Sequence, residues 1–364
     1  MKELLKDLDR WTASGEEIAL ATVVGVEGSA PRPSGARLAL TRSGSMVGSV
    51  SGGCVESDVY ERALAVLDRR KPSLVEYGPA EPDSFEVGLS CDGHIEVLIE
   101  AFSDDLVWRR VRGAIEDDCP AAMAVCVAPE RLLGARLGIV SATGEAKEVV
   151  GSIDPAIDKQ VASEAEQLLL ARESGVLAID PSEGSGDSYR VFIESFVPSQ
   201  RLYLVGATPI AVSLCAMAKE VGFRVFVIDP RTAFTEGDRF RDAHQVLHEW
   251  PVDVLDGAVL DADAYVLTLT HDPKFDLPTL ARALASDVRY IGALGSRKTH
   301  AKRLVELRAQ GFDEEALSRI KTPVGLDLGG RRPEEIALAI LAEMVATRYE
   351  RSGESLSKET QHGN

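Results

Sequence analysis

Leu202-Tyr203-Leu204-Val205-Gly206-Ala207-Thr208-Pro209-Ile210-Ala211 decides the fold of this chain. An apolar run ends at a glycine, and the apolar spacing then becomes that of a helix over Ile210–Val221. A second apolar run, Arg224–Ile228, follows and ends on Asp229, 23 residues after Gly206. Strand, glycine turn, helix, strand and terminal acid make the first unit of a doubly wound parallel sheet. Dinucleotide loops on such sheets carry Gly-x-Gly-x-x-Gly, whose second glycine admits the pyrophosphate. Thr208 stands at that place with Pro209 behind it, and a helix N-cap with proline at the first helical position accounts for the pair. The sheet inference is therefore stronger than the inference of NAD(P), and Gly206 and Asp229 stand as cofactor-binding candidates.

Downstream, strands at Gln245–His248, Tyr265–Leu269 and Tyr290–Ala293 alternate with helices, including Ser296–Gln310 and Glu334–Tyr349. Open sheets of this class carry ligand residues at the carboxyl ends of their strands. Thr270-His271-Asp272 lies at such an end, and His271 is a candidate acid or base near neutral pH. Ile291-Gly292-Ala293-Leu294-Gly295-Ser296-Arg297-Lys298 joins a strand to a helix through glycines, a hydroxyl and two cations. Gly292, Gly295, Ser296 and Arg297 are accordingly candidates for an anionic cofactor group. A solvated turn explains the same residues without a ligand. This Rossmann-like domain spans 201–350, and residues 351–364 form a polar tail.

Upstream, residues 1–197 form a first domain of mixed α/β character, with Pro198-Ser199-Gln200 as the linker. Its pattern gives a helix over Glu3–Trp11, a strand over Ile18–Val26, a hairpin turning at Ser43-Gly44 and a helix over Val55–Asp68. Strands follow at Ser73–Tyr77 and Ile95–Ala101, a helix at Asp104–Asp117, and an antiparallel pair at Ala121–Ala128 and Arg136–Ser141. Asp154-Pro155 supplies an N-cap and a first-turn proline, which predicts a helix over Pro155–Ser174 before a last strand at Tyr189–Val197. No internal repeat is evident.

Gly48-Ser49-Val50-Ser51-Gly52-Gly53-Cys54-Val55-Glu56 joins strand to helix through a turn nearly bare of side chains. Gly52 and Gly53 permit positive φ, and free helix amides behind them would cradle an anion. Cys54 sits at the lip, where a helix dipole favours a thiolate. A tight turn around an inert thiol is the competing reading. Cys91, in Gly88-Leu89-Ser90-Cys91-Asp92-Gly93-His94, is a second cysteine in a glycine-flanked turn. The stiff loop Gly28–Arg37 presents Arg32 and Arg37, of which Arg32 is the candidate anion partner. Cys126 and Cys215 fall inside apolar patterns and belong to the core, and Cys119 has no assigned role. Cys91-x-x-His94 with Cys54 and His271 has weak metal-ligand spacing, so no permanent metal site is expected.

Forty basic against 58 acidic residues leave a net charge of −18, which argues against nonspecific nucleic-acid binding. No apolar run approaches the ~18 residues of a membrane span. The charged amphipathic opening Met1–Lys6 differs from a secretory signal, and five cysteines without framework spacing point to reduced thiols, so a cytoplasmic protein is expected.

The runs Gly28–Arg37, Gly48–Glu56 and Gly88–Cys91, followed by Asp229-Pro230-Arg231, Leu269–Phe275, Tyr290–Arg297 and Gly325-Leu326-Asp327 through Arg332–Ala337, resemble the XdhC/CoxI family of xanthine dehydrogenase accessory proteins over nearly the whole chain. The resemblance implies a mixed α/β family domain followed by a Rossmann-like doubly wound parallel sheet. It implies a maturation factor that binds the molybdenum cofactor (molybdopterin) transiently, protects it while a cysteine desulfurase helps exchange an oxo for a sulfido ligand, and delivers it to a molybdenum hydroxylase client. By the same resemblance Arg32, Gly52, Gly53, Cys54 and Cys91 handle the cofactor. A homodimer is the expected oligomer on symmetry priors. The chain departs from the family at Thr208-Pro209, where Gly-His is usual, and at Asp92 and His94. It lacks the iron–sulfur cysteine runs and the length of a molybdenum hydroxylase, so the activity of the dehydrogenase itself is not expected. The alternative function is an NAD(P)-dependent oxidoreductase using the second domain.

Overall fold

The computed structural model describes residues 1–79, 88–89, 92–140, 147–180 and 188–355; Cys91, most of the loop after Asp180 and the end of the polar tail lie outside them. By its internal contacts the chain divides into Met1–Pro198 and Ser199–Asn364.

The first unit begins with α1 (Leu5–Ala13), β1 (Ile18–Glu27), β2 (Arg37–Thr41), β3 (Met46–Gly48), α2 (Glu56–Arg69), β4 (Ser73–Tyr77) and β5 (His94–Ala101). It continues with α3 (Leu106–Glu116), β6 (Ala121–Ala128), β7 (Arg136–Val140), β8 (Glu148–Gly151), α4 (Asp158–Ala171), β9 (Gly175–Ile179) and β10 (Tyr189–Phe196). These strands form two antiparallel sheets, ordered β3-β2-β1-β5-β4 and β8-β7-β6-β10-β9. Leu20 and Val24 of the first sheet and Met123 and Val125 of the second share one core with α1 and α3. The alternate residues Ala19, Ala21 and Val23 pack with α2, as Ala122, Ala124 and Cys126 do with α4. Both faces of each sheet are thus buried, which is why the central strands are apolar throughout.

The two halves are copies, which corrects the expectation of no repeat. Each runs helix, three strands, helix, two strands, with one strand order. The register agrees residue by residue: Leu20 faces Glu100 as Met123 faces Glu194, and Thr22 faces Arg37 as Val125 faces Arg136. The ladder skips one residue after Val23 in one copy and after Cys126 in the other. Gly48 and Gly151 both have positive φ, and a Cβ on either would strike the carbonyl of the equivalent arginine, Arg37 or Arg136. The halves also exchange partners reciprocally, as protomers do across a two-fold axis. Arg37 binds Glu194, and its counterpart Arg136 binds Glu100. Glu96 and its own counterpart Arg190 bind each other, with hydrogen bonds of 2.9 and 2.5 Å.

The predicted helix Pro155–Ser174 is shorter than expected. The Asp158 carboxylate accepts the amides of Ile153 and Asp154 and the Ser152 hydroxyl, and Asp154 accepts the Ala156 amide. These bonds stabilise a turn before the helix, which begins at Asp158 and ends at Arg172 with a left-handed cap.

The second unit contains β11 (Arg201–Val205), α5 (Pro209–Glu220), β12 (Arg224–Ile228), α6 (Thr232–Thr235), β13 (Gln245–Leu247), α7 (Pro251–Gly257), β14 (Ala264–Thr268), α8 (Pro273–Leu284), β15 (Tyr290–Ala293), α9 (Arg297–Ala309), α10 (Glu314–Ser318), β16 (Ile320–Lys321) and α11 (Pro333–Arg348). Its sheet is parallel in the order β13-β12-β11-β14-β15-β16. α5 and α11 cover one face, while α7, α8 and α9 cover the other. This is the Rossmann-like doubly wound sheet read from Leu202–Ala211. Its order reverses between β11 and β14, so the crevice beyond the carboxyl ends of these strands is the expected ligand position. Among the described residues no helix is long and apolar enough to cross a membrane.

Candidate functional site

In the first unit, strand direction gathers the chemistry at one edge. β1 and β3 end where β2 and β5 begin, because Thr22 pairs with Arg37, Leu38 with Gly48, and Glu27 with His94. The Gly28–Gly35 loop and the Cys54 turn therefore emerge together. Asp92-Gly93 joins them: a Cβ on Gly93 would lie 2.2 Å from the Ser29 carbonyl oxygen, so the two backbones touch there.

The turn before α2 has an internal occupant. Glu56 accepts hydrogen bonds from the Ser49 hydroxyl at 2.6 Å and from the amides of Val50, Ser51, Gly53 and Val55 at 3.2, 3.0, 2.9 and 3.2 Å. The Gly52 amide goes to the Ser49 hydroxyl at 2.7 Å. Burial alone would raise the Glu56 carboxyl, but the bonds from Ser49 and Ser51 outweigh it and hold it at about 2. The amides expected to cradle an external anion are thus largely engaged by the chain itself. Gly52 and Gly53 have φ of 77° and 118°, and among the described residues no atom beyond their chain neighbours lies within 4 Å of where a Cβ would sit on either. The backbone there faces open space, with the half-buried Cys54 packed beside the core under α2. Arg32 is half-buried, and its Nε is buried without a hydrogen-bond partner among the described residues.

Glu56→Gln is expected to cost about 1–3 kcal/mol, because several donors lose an ionised acceptor. Chemical denaturation measures the loss, and a faster reaction of Cys54 with a thiol reagent would report the loosened turn. The pH dependence has a definite sign. A carboxyl lowered on folding contributes stability that is complete above its ordinary pKa near 4.5 and is lost as the pH falls toward about 2. Glu56→Gln should lack that component of the acid limb.

In the second unit a cleft of about 800 Å³ lies at the reversal of strand order, lined by Thr208, Arg231, Phe234, Leu269, His271 and Leu294 among others. The turn after β11 uses up its own donors. Ala207 N–H donates to Asp229 at 2.9 Å, Thr208 N–H donates to the Gly206 carbonyl, and Thr208 Oγ1 caps the Ala211 amide. Pro209 has no amide to offer. Asp229 is fully buried, and it also accepts the Arg231 amide at 3.0 Å and its Nε and Nη2 at 2.9 and 2.8 Å. Burial would raise the Asp229 carboxyl, but Arg231 and the Ala207 amide hold it below the usual range. Arg231 in turn covers the Phe234 ring, 4.5 Å from its centroid. The acid in the position that reads a ribose hydroxyl is therefore already paired with a guanidinium.

Under the cleft, Asp276 of α8 and Arg303 of α9 form a buried ion pair. Thr270 Oγ1 donates to Asp276 at 2.6 Å, and Arg303 Nη1 donates to the Leu294 carbonyl at 2.9 Å. One pair thus ties down the turns after β14 and β15.

The predicted residues divide as follows. Of Gly206, Asp229 and His271, only the exposed His271 is in the described lining of the cleft. Gly206 precedes the lining residue Ala207, and the buried Asp229 bonds to the lining residues Ala207 and Arg231. Gly206 has φ of 106°, and a Cβ there would approach Thr270 Cγ2 to 2.3 Å. Gly292 lies inside β15, where a Cβ would come within 2.8 Å of Tyr290 and Val324, so packing requires this glycine. Gly295 has φ of 151°, Ser296 caps α9 through the Thr299 amide at 3.2 Å, and Arg297 is exposed. Arg32, Gly52, Gly53 and Cys54 belong to the edge of the first unit. Sequence reasoning missed the cap made by Glu56 and the pair Asp276–Arg303. Their signals were a carboxylate just after a glycine turn and an acid between the apolar Phe275 and Leu280.

Residues 202–344 match the family model described as the XdhC Rossmann domain, and residues 11–78 match the model described as the XdhC and CoxI family. A Bacillus subtilis protein, named as one of the probable subunits of xanthine dehydrogenase, is 29% identical over 358 residues, covering 94% of this chain and 96% of the relative. The Escherichia coli molybdenum cofactor insertion chaperone PaoD is 26% identical over 344 residues, covering 94% and 87%. A crystal structure from Bacillus halodurans, described as a xanthine dehydrogenase, superposes with a TM-score of 0.72 at 27% identity and covers 98% of both chains.

Proposed function

Because the chain belongs to the XdhC and CoxI family, we propose that it is a maturation factor which takes the molybdenum cofactor as cargo and passes it to a molybdenum hydroxylase of the xanthine dehydrogenase type. The observation that carries this reading is the edge of the first unit, where Cys54, two exposed glycines and a guanidinium whose Nε has no partner among the described residues stand on one set of loops. It is supported by similarity, over 94% of the chain, to a protein named as a molybdenum cofactor insertion chaperone.

The residues present fit such a cargo. The cofactor brings a phosphate and a thiophilic metal centre, which call for a guanidinium and a soft thiol ligand. Arg32 supplies the first and Cys54 the second. The glycines at 52 and 53 leave room for close approach, and Glu56 fixes the turn that presents the thiol. In this reading a cysteine desulfurase acts on the held cargo before the client receives it. Use of the second unit by NAD(P) finds less support, since the turn after β11 has spent its amides on Asp229, Gly206 and the Thr208 cap.

The test is retention of the cofactor. Protein purified from cells that make molybdopterin should release a fluorescent pterin on oxidation, and Cys54→Ala should carry about tenfold less or below. Wild-type protein without pterin overturns the proposal. A rise in melting temperature with NAD or NADP in that same pterin-free protein would favour the oxidoreductase.

A further inference from the structure

The second copy shows what an arginine at the position of Arg32 does when the chain supplies its partner. Arg131 stands five residues before Arg136, as Arg32 stands five before Arg37. Its Nη2 lies 3.7 Å from Asp154 Oδ2 and 3.5 Å from the Tyr189 hydroxyl, which itself donates to Asp154 at 2.9 Å. Asp154 belongs to the capped turn before α4: Ser152, Ile153 and Asp154 bond to Asp158 as Ser49, Val50 and Ser51 bond to Glu56. The counterparts of Asp154 and Tyr189 in the first copy are therefore Ser51 and Ile95.

The first copy has kept the guanidinium and lost its carboxylate and phenol. The Ser51 hydroxyl is itself committed to Glu56 and to the Val55 amide. At the same turn the first copy is one residue longer, with Gly52-Gly53-Cys54 where the second has Pro155-Ala156. The family match at residues 11–78 also falls on the first copy alone. Loss of an internal anion, retention of its cation and insertion of a thiol coincide at one edge.

We propose that Arg32 binds a phosphate monoester in the place that the Asp154 carboxylate fills in the second copy, and that the second copy is a self-filled counterpart which binds no such ligand. The inference rests on the reading of the Cys54 edge as the cargo site and deepens it with the position, set by the Asp154 carboxylate of the second copy, at which Arg32 holds the phosphate. Charge favours phosphate locally: a guanidinium with no carboxylate on it among the described residues attracts a dianion more strongly than a neutral group, against the general field of a chain of net charge −18.

The test restores the missing carboxylate. Inorganic phosphate at constant ionic strength should raise the melting temperature of wild-type protein by mass action. Ser51→Asp, which rebuilds the second copy's pair, should weaken phosphate binding about tenfold or more, and Ser51→Asn should retain it within about twofold. Arg32→Gln should match Ser51→Asp without disturbing the buried turn. Phosphate binding by Ser51→Asp and Arg32→Gln at wild-type affinity overturns the inference, as does wild-type protein that does not respond to phosphate. Pterin retention separates the two proposals. Phosphate binding lost in both variants, with no pterin in wild type, sustains the phosphate site and overturns the molybdenum cargo. Pterin retained by a wild-type protein insensitive to phosphate does the reverse.

Discussion

Arg37→Ala is expected to destabilise the protein by about 3–5 kcal/mol, because it leaves a buried carboxylate without its counter-ion. Arg37 is 3% exposed and Glu194 8% exposed. The guanidinium binds both carboxylate oxygens and also donates to the Gly35 carbonyl at 3.1 Å. Gly35 has a positive φ, and a Cβ there would meet Glu194 at 3.1 Å, so the loop has little freedom to cover a vacated site. Replacement of both partners by apolar residues, Arg37→Met with Glu194→Leu, should cost much less than the single change, since no ion is then left in the core. The repeat supplies a second trial, as Arg136→Ala strands Glu100 in the same way. Burial pushes the Glu100 carboxyl up and Arg136 pulls it back, so removal of that arginine favours uptake of a proton. Denaturant titration of the single and double variants measures these differences. A loss below about 1 kcal/mol for both single variants would mean that the reciprocal pairs do not hold the halves together.

The repeat behind that reciprocity leaves only a faint trace in the sequence. Arg32-Pro33-Ser34-Gly35-Ala36-Arg37-Leu38 recurs as Arg131-Leu132-Leu133-Gly134-Ala135-Arg136-Leu137, and Val47-Gly48-Ser49-Val50 as Val150-Gly151-Ser152-Ile153. The match is confined to loops and strand starts, where positive φ and the buried ion pairs restrict the choice of residue. The strands between are free to exchange one apolar residue for another because both faces are covered. The edge strands β8 and β9 carry no alternating signal because apolar residues also stand on their exposed side, Val149 at 50% and Val176 at 44% exposure. α4 starts later than Pro155 because Asp154 caps a turn instead of the helix. The parallel sheet is legible from Gly206 and Asp229, since local turn chemistry and strand–helix alternation both follow from neighbours in sequence. What Asp229 binds is not legible. Its pairing with Arg231 and Ala207 fills the carboxylate, and only the folded turn shows it. Gly292 illustrates the converse: a glycine that resembles a ligand turn in sequence is held in a strand by Tyr290, Val324 and Leu267.

The pair Asp276–Arg303 lies beyond local reading because its members come from different helices, yet Asp276→Ala carries an expected cost of about 3–5 kcal/mol. Asp276 is 1% exposed and Arg303 5% exposed. Burial raises the Asp276 carboxyl, while the Thr270 hydroxyl and Arg303 pull it down. Alanine would remove the acceptor of Thr270 and strand a guanidinium whose other bond goes to the Leu294 carbonyl. Thr270 and Leu294 belong to the turns that line the cleft, so the loss of stability should appear there as motion as well. Amide hydrogen exchange should quicken at His271, Asp272 and Gly295 beyond the change shown by residues in β12. Asp276→Asn keeps an acceptor for Thr270 but removes the charge, so its cost should fall between wild type and alanine. If Asp276→Ala exchanges uniformly faster with no excess at these two turns, the pair stabilises the unit without positioning the cleft. A localised excess, reproduced by Arg303→Leu from the other side of the pair, would establish that one buried carboxylate sets both turns.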